Sequence, residues 1–249
     1  TSGYIMDVAT LTEKPDFEYR TMQFPDTWDG NWAARNKLNS SSAALSKEQG
    51  GSISYGRFAH TFAELVPSGA YYKDHPEYFS LRDGTRISGD EGQLCLSNPD
   101  VIKIATQTVL RWMDENPNAD IWSVSQNDNV NYCQCDKCTA IANEEGSQAG
   151  PILRFVNAIA NEAAKKNPKI LIDTLAYVYS QDPPKITKPA PNVRIRLCVF
   201  DCVYHPYDGC EANAPFMKKL SGWGSICNGV YIWQYTTVFS DYLLPLPEI

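Results

Sequence analysis

Twice along this chain an amphipathic helix is cut off by an Asn-Pro pair and followed at once by a short apolar run, an order that constrains the fold more than any single motif. Asn98 suits an N-cap with Pro99 at the first helical position, and Ile102, Ala105, Val109 and Met113 recur at spacings of three or four. Asn116-Pro117 stops that helix, and the apolar run 121–125 follows. From Pro151 the pattern repeats: Ile152, Phe155, Ile159 and Ala163 share one face, and Asn167-Pro168 ends the helix before the apolar run 170–176. Helices and strands alternating in this way predict the α/β class, with a parallel sheet and crossover helices.

Further steps extend the series. Strands are predicted at 17–24, 52–62, 93–96, 193–200 and 230–234, and helices at 27–38 and 214–220. The connection through 71–79 is long and irregular, which suggests a functional loop. The proline-dense stretch 182–191 predicts an extended loop. Seven βα steps suggest a TIM-type (β/α)8 barrel, incomplete at its C-terminus with the eighth strand missing, in a single domain over 1–249. An open α/β sheet is the alternative.

The balance of 22 basic against 29 acidic residues leaves a net charge of -7 with the basic residues scattered, so no footprint for nucleic acid is present. No apolar run reaches the roughly 20 residues of a membrane span, and Thr1-Ser-Gly-Tyr lacks the features of a signal peptide. Aromatic residues make up 12% of the chain, many beside turns, where flat faces with a polar handle suit sugar rings as well as core packing. Eight cysteines form an even set that fits an exported protein with disulfides, although Cys95 and Cys198 lie in apolar runs that also suit buried free thiols. No dinucleotide, phosphate-loop or Gly-x-Ser-x-Gly signature is present, so no nucleotide cofactor is expected.

The order of several motifs is distinctive: Phe17-Glu-Tyr-Arg20, His60-Thr-Phe, His75-Pro-Glu-Tyr-Phe79, Gln93-Leu-Cys-Leu-Ser-Asn-Pro99, Asn127-Asp128 with Cys133-x-Cys135-x-x-Cys138, and Ile232-Trp-Gln-Tyr235. This order resembles a bacterial glycoside-hydrolase-like family, the domain of unknown function 4838. The resemblance implies a TIM-type barrel related to α-glucuronidases and hexosaminidases. It also implies carbohydrate chemistry, in some members endo-β-N-acetylglucosaminidase activity on N-glycans. Family members continue past this chain's end with a further strand that carries a glutamate.

Barrel enzymes carry their working groups at the C-terminal ends of strands, and Asp128 follows the run 121–125 at such a position. In glycosidic cleavage it would act as acid, base or orienter; in a substrate-assisted variant the sugar's acetamide is the nucleophile and Asp128 polarises it. As turn chemistry, Asn-Asp-Asn alternatively makes Asp128 a cap. Asp201 and Glu64 are the candidates for a second carboxylate, with solvated loop charge as the plain reading of each. His60 and His205 suit hydroxyl recognition or proton transfer, or else structural bonds to carbonyls. Trp122, Trp233 and Tyr235 could wall a sugar subsite, although strand alternation turns Trp122 away from Ser123 and towards the helices. Gln126, Asn127 and Gln234 offer neutral donors and acceptors that also cap loops.

Cys133, Cys135 and Cys138 supply three ligands of a tetrahedral zinc site, with Cys202, His205 and Cys210 as candidates for the fourth. A disulfide from this cluster to the Cys202 or Cys210 region ranks above zinc, and redox chemistry ranks last. The leading functional expectation is a glycoside hydrolase acting on amino-sugar or uronic-acid glycans, without cofactor. A non-catalytic carbohydrate-binding barrel and a cysteine-cluster metal or thiol module are the alternatives.

Overall fold

The computed structural model describes residues 14–43, 45–199, 205 and 207–235. The chain divides into two compact units, Thr1–Ile53 and Ser54–Ile249. In the first, helix α1 (Gly30–Arg35) starts where the Asp29 carboxylate accepts the Trp32 amide at 2.7 Å. It ends sooner than the pattern over 27–38 predicts, because Asn36 caps it and Lys37 takes φ +58. Residues 17–24 form no strand. The Arg20 amide and carbonyl are taken up by Asn39, at 2.8 Å and 3.1 Å, so one asparagine serves where a ladder was expected.

In the second unit, five parallel strands form one sheet. These are β1 (Tyr55–Arg57), β4 (Ile121–Ser123), β5 (Leu171–Ala176), β6 (Val193–Cys198) and β7 (Val230–Trp233), paired in that order. Between the first two lie the short helices α2 (Phe62–Leu65) and α3 (Ser68–Tyr71), the hairpin β2 (Leu81–Arg82) and β3 (Thr85–Arg86), and the long helix α4 (Pro99–Glu115). Helices α5 (Asp136–Glu145) and α6 (Ala149–Lys166) connect β4 to β5, and α7 (Ala214–Gly224) precedes β7. Neighbouring strands follow chain order throughout, without the reversal that marks a doubly wound sheet. Residues 93–96 form no strand; only Leu94 makes a bridge, to Phe79. Among the described residues no helix is long and apolar enough to cross a membrane.

Strand alternation divides the sheet into two faces. One face carries Trp122, Ile172, Ile195 and Leu197, which pack with Val109 and Trp112 of α4 and Phe155 and Ile159 of α6 into the main core. Gly56 sits directly over Trp122, and a Cβ there would meet the indole at 2.2 Å, so β1 can reach its partner strand only with glycine at that position. The other face carries Tyr55, Ser123, Asp173, Arg196 and Tyr231. Arg196 Nε binds Asp173 Oδ2 at 3.0 Å, the Tyr55 hydroxyl donates to the same oxygen at 2.8 Å, and Arg196 also donates to the Tyr55 oxygen. The guanidinium lies 5.0–5.6 Å from the ring centres of Tyr55, Phe58 and Tyr231.

The sheet is curled. In a flat sheet β1 and β7 would lie about 19 Å apart, four strand spacings. Phe58, just after β1, nevertheless stands 5.4 Å from Trp233 of β7, ring centre to ring centre.

The extended loop predicted over 182–191 is present, fastened by a carboxylate. Glu145, at the end of α5 and fully buried, accepts the Ile186 and Thr187 amides at 2.9 Å and 3.0 Å, the Thr187 hydroxyl, and two nitrogens of Arg154 at 2.6 Å and 2.9 Å. Gly150 makes room for it, since a Cβ there would meet Glu145 Cγ at 2.4 Å. Burial opposes the charge, but the bonds from Thr187, Arg154 and Ile186 prevail and hold the Glu145 carboxyl down at about 2.

Gly56→Ala should cost roughly 1–3 kcal/mol in urea unfolding, through overpacking against Trp122. The Glu145 pKa is lower in the folded chain than in the unfolded chain, so its contribution is complete above the unfolded value near 4.5 and declines as pH falls towards about 2. Glu145→Gln should therefore destabilise the chain by roughly 1.5–3 kcal/mol at neutral pH, and its deficit relative to the parent should shrink in acid. A pH-independent difference in melting temperature would count against this role.

Candidate active site at the strand ends

The C-terminal ends of β1, β4, β5, β6 and β7 gather one set of side chains. After β4 the chain continues extended to Asn127, and there Gln93 holds it as a strand neighbour would. Gln93 Oε1 accepts the Asn127 amide at 2.9 Å, and its Nε2 donates to the Asn127 carbonyl at 2.8 Å. Asn127 is buried and donates to the Gly92 carbonyl at 2.9 Å while its Oδ1 accepts the Ala63 amide at 3.0 Å. Its side chain is thus committed to the scaffold rather than left open for the substrate recognition expected of it. Asn129 makes the turn, with its Oδ1 accepting the Asn131 amide at 2.9 Å. Between these anchors Asp128 is exposed, and it is not the turn cap.

The Tyr177 hydroxyl, just past β5, donates to Asp128 Oδ1 at 2.7 Å. Burial, then the Asp128 carboxylate, push the Tyr177 phenol well above its ordinary range, so it remains a donor at any working pH. His60 lies 5.8 Å from the Tyr177 ring, and its Nδ1 is 2.8 Å from the Gln126 carbonyl oxygen. Ala59, His60 and Val178 all take positive φ, between 48° and 51°. Such conformations cost on the order of 1–3 kcal/mol each and concentrate at functional sites. All three flank the Asp128–Tyr177 pair.

An aromatic wall completes the site. Trp233 stacks on Tyr235 with ring centres 6.3 Å apart and lies 5.4 Å from Phe58. Phe58 is 41% exposed, enough to present an open face. Burial, then the nearby Cys198 and Asp128, push the Tyr235 phenol up to about 12. Cys198 is buried, and burial pushes its thiol up to about 12, so it stays protonated. Gln234, between the two wall residues, is half-buried.

Other expected site residues lie elsewhere. Trp122 is buried against Trp112, 6.1 Å away, on the helix side, so it cannot stack on a sugar. Glu64 faces solvent and pairs with Arg57 at 3.1 Å. Gln126 is buried and donates to Ser180 Oγ at 2.8 Å. His205 is exposed, with Nδ1 3.8 Å from Cys210 Sγ. Asp201 and Cys202 fall outside the described residues. Tyr177 and Phe58 were not anticipated; the rule that selects Asp128 at a strand end would have selected Tyr177 after 170–176 as well.

The cysteine cluster adjoins this loop. Cys133, Cys135 and Cys138 are joined by Cys95 rather than by His205 or Cys210, and the four sulfurs lie within 4.8 Å of one another. All four are free thiols, and the expected disulfide to Cys210 is not formed, since Cys210 is also free. Hydrogen bonds from the Cys133 and Cys138 thiols draw Cys95 far below its usual range, and the same contacts raise Cys138.

No curated protein matches the chain. Among solved structures it is similar to a GH36 α-galactosidase, AgaA from Geobacillus stearothermophilus, crystallised as a variant with stachyose. The identity is 14% and the TM-score 0.32, over 82% of this chain and 31% of that one. The family model described as Domain of unknown function (DUF4838) matches residues 5–249. That match spans nearly the whole sequence and bears out the resemblance carried by the motifs, so the chain belongs to the DUF4838 family.

Proposed function

We propose that the strand ends form the active site of a glycoside hydrolase acting on amino-sugar glycans, built on a TIM-type barrel. The observation that carries this reading is the exposed Asp128 carboxylate, tied to the Tyr177 hydroxyl beside the Phe58–Trp233–Tyr235 wall. Chain-order pairing and the curl of the sheet support the barrel. Flat aromatic faces suit the apolar face of a pyranose, and a carboxylate at a strand end suits catalysis in such a fold.

One carboxylate oxygen engages Tyr177, and Asp128 Oδ2 has no hydrogen bond among the described residues. Substrate assistance suits this arrangement. Asp128 would accept the N–H of the sugar's 2-acetamido group and orient its carbonyl oxygen towards C1. That oxygen forms a bond to C1 as the C1–O bond to the leaving group breaks, and the leaving oxygen takes a proton from a general acid. Water then opens the cyclic intermediate. Because the nucleophile belongs to the substrate, one orienting carboxylate and one acid suffice. Asp201, a candidate for the acid, lies outside the described residues.

A carbohydrate-binding barrel without turnover is the second reading. It is favoured by Glu64, one of the two candidates for the second carboxylate, which faces solvent in its pair with Arg57.

Hydrolysis of N-glycans and of aryl β-N-acetylglucosaminides separates the two readings, with uronic-acid glycosides as a parallel panel. Asp128→Asn should lower kcat by roughly 10²–10⁴-fold with unchanged circular dichroism and melting temperature. Tyr177→Phe removes a hydrogen bond to a charged group worth about 1.5–3 kcal/mol, so a loss of roughly 10–100-fold in kcat with little change in KM is expected. Full activity in the Asp128 variant refutes the catalytic role. Glycan binding without any turnover by the parent chain establishes the second reading, and cleavage of uronic-acid glycosides alone moves the substrate class.

A further inference from the structure

We infer that Cys95, Cys133, Cys135 and Cys138 hold one structural zinc ion as a tetrathiolate, and that this centre braces the loop carrying Asp128. The cluster lies beside the proposed active site, and the inference does not depend on what that site does.

Zn–S bonds of about 2.3 Å arranged tetrahedrally place the sulfurs about 3.8 Å apart, and Cys95 Sγ and Cys135 Sγ are 3.6 Å apart. All four sulfurs fall within 4.8 Å of one another, whereas a disulfide needs about 2.05 Å. The ligands come from two places in the chain. Cys133 and Cys135 flank one residue of the loop, Cys135 is the N-cap of α5, Cys138 lies in its first turn, and Cys95 comes from the segment leading into α4. Three of the four are nearly fully buried, at 3–6% exposure. Four thiols converging on one point, three of them buried and none bonded to another, are hard to account for by packing alone.

Surrounding groups fit thiolate ligands. The Leu81 amide points at Cys133 Sγ at 3.4 Å. Ser97 Oγ lies 3.1 Å from Cys138 Sγ and 3.7 Å from the sulfurs of Cys95 and Cys135, placed to donate once the thiols have lost their protons. The surface depression that reaches Cys95 and Cys135 is bordered by Glu77, Arg86, Asp136 and Lys137, which gives solvent and a metal ion a route to the cluster. Each coordinating thiol releases its proton to solvent as the metal binds, and no redox change occurs. A redox role is disfavoured because Cys138 is buried at 3% exposure.

The mechanical consequence follows from what the ligands join. The hairpin β2–β3 docks on the cysteine loop: the Gln134 amide donates to the Leu81 carbonyl at 2.7 Å, and the Asp83 amide donates to Gln134 Oε1 at 2.9 Å. Metal would clamp Cys95, two residues after Gln93, to the loop that begins at Asn127. The Gln93–Asn127 bonds that present Asp128 would then be fixed from both sides.

The chain, purified under reductant without chelator, should contain one zinc ion by plasma mass spectrometry. X-ray absorption at the zinc edge of the parent chain should fit four sulfurs at about 2.3 Å, and Co(II) exchanged into the site should give tetrahedral thiolate spectra. Cys95→Ser should lower zinc affinity by ~10-fold or more, whereas Cys227→Ser, outside the cluster, should leave it unchanged. If Cys95→Ser does not fold, the absorption spectrum of the parent chain decides alone. Removing the metal should speed hydrogen exchange across 78–83 and 127–138, and unchanged exchange there would overturn the bracing role. A folded chain without metal, a shell containing nitrogen or fewer than four sulfurs, or disulfides mapped within the cluster would overturn the site.

Discussion

The curl of the parallel sheet governs everything at its mouth. Phe58 and Trp233 meet across a sheet whose edge strands would otherwise stand far apart, and behind them Arg196 of β6 reaches both Asp173 of β5 and Tyr55 of β1. Burial lowers the tendency of Arg196 to hold its proton, but Asp173 and Tyr55 more than compensate, so the guanidinium stays charged inside the fold. Such a pair contributes little net stability against an apolar replacement, yet removing one partner costs about 3–5 kcal/mol. Its effect is to specify geometry: three aromatic rings and one carboxylate must surround a single planar cation, which fixes how far the strands turn.

Rigid support surrounds the exposed Asp128 carboxylate. Asn127 and Asn129 spend their side chains on Gly92, Ala63 and Asn131, and Gln93 spends both ends of its amide on the loop backbone. Asp128 therefore sits between two fixed points. Tyr177 reaches it from the next strand, and the left-handed backbone at Ala59, His60 and Val178 stores strain that these bonds hold in place. On the helix side, Glu145 performs a similar service for the proline-rich loop, whose amides have no ladder to join.

Much of the fold was legible because periodicity is a local property. The strands Ile121–Ser123, Leu171–Ala176, Val193–Cys198 and Val230–Trp233 and the helices Pro99–Glu115 and Ala149–Lys166 follow from apolar spacing and Asn-Pro punctuation. The errors share a cause. Residues 17–24 and 93–96 read as strands, but single side chains, Asn39 for the first and Ser80 for the second, take up backbone groups that a ladder would have paired. Helix α5 was missed because only Cys138, Ala142 and Glu145 of it are buried, too few to mark a stripe.

The site divides in the same way. Sequence by itself determined that an acidic tip follows an apolar strand, that three thiols crowd the next turn, and that aromatic residues end the last described strand, since each of these lies within one short segment. Tertiary structure alone decided that Tyr177 and not Glu64 partners Asp128, that Trp122 faces the helices, and that Cys95 is the fourth thiol. The physical reason is that hydrogen bonds and sulfur contacts act over a few ångströms in space. Tyr177 is 49 residues from Asp128, and Cys95 is 40 from Cys135, separations at which the order of residues carries no record of which side chains will meet.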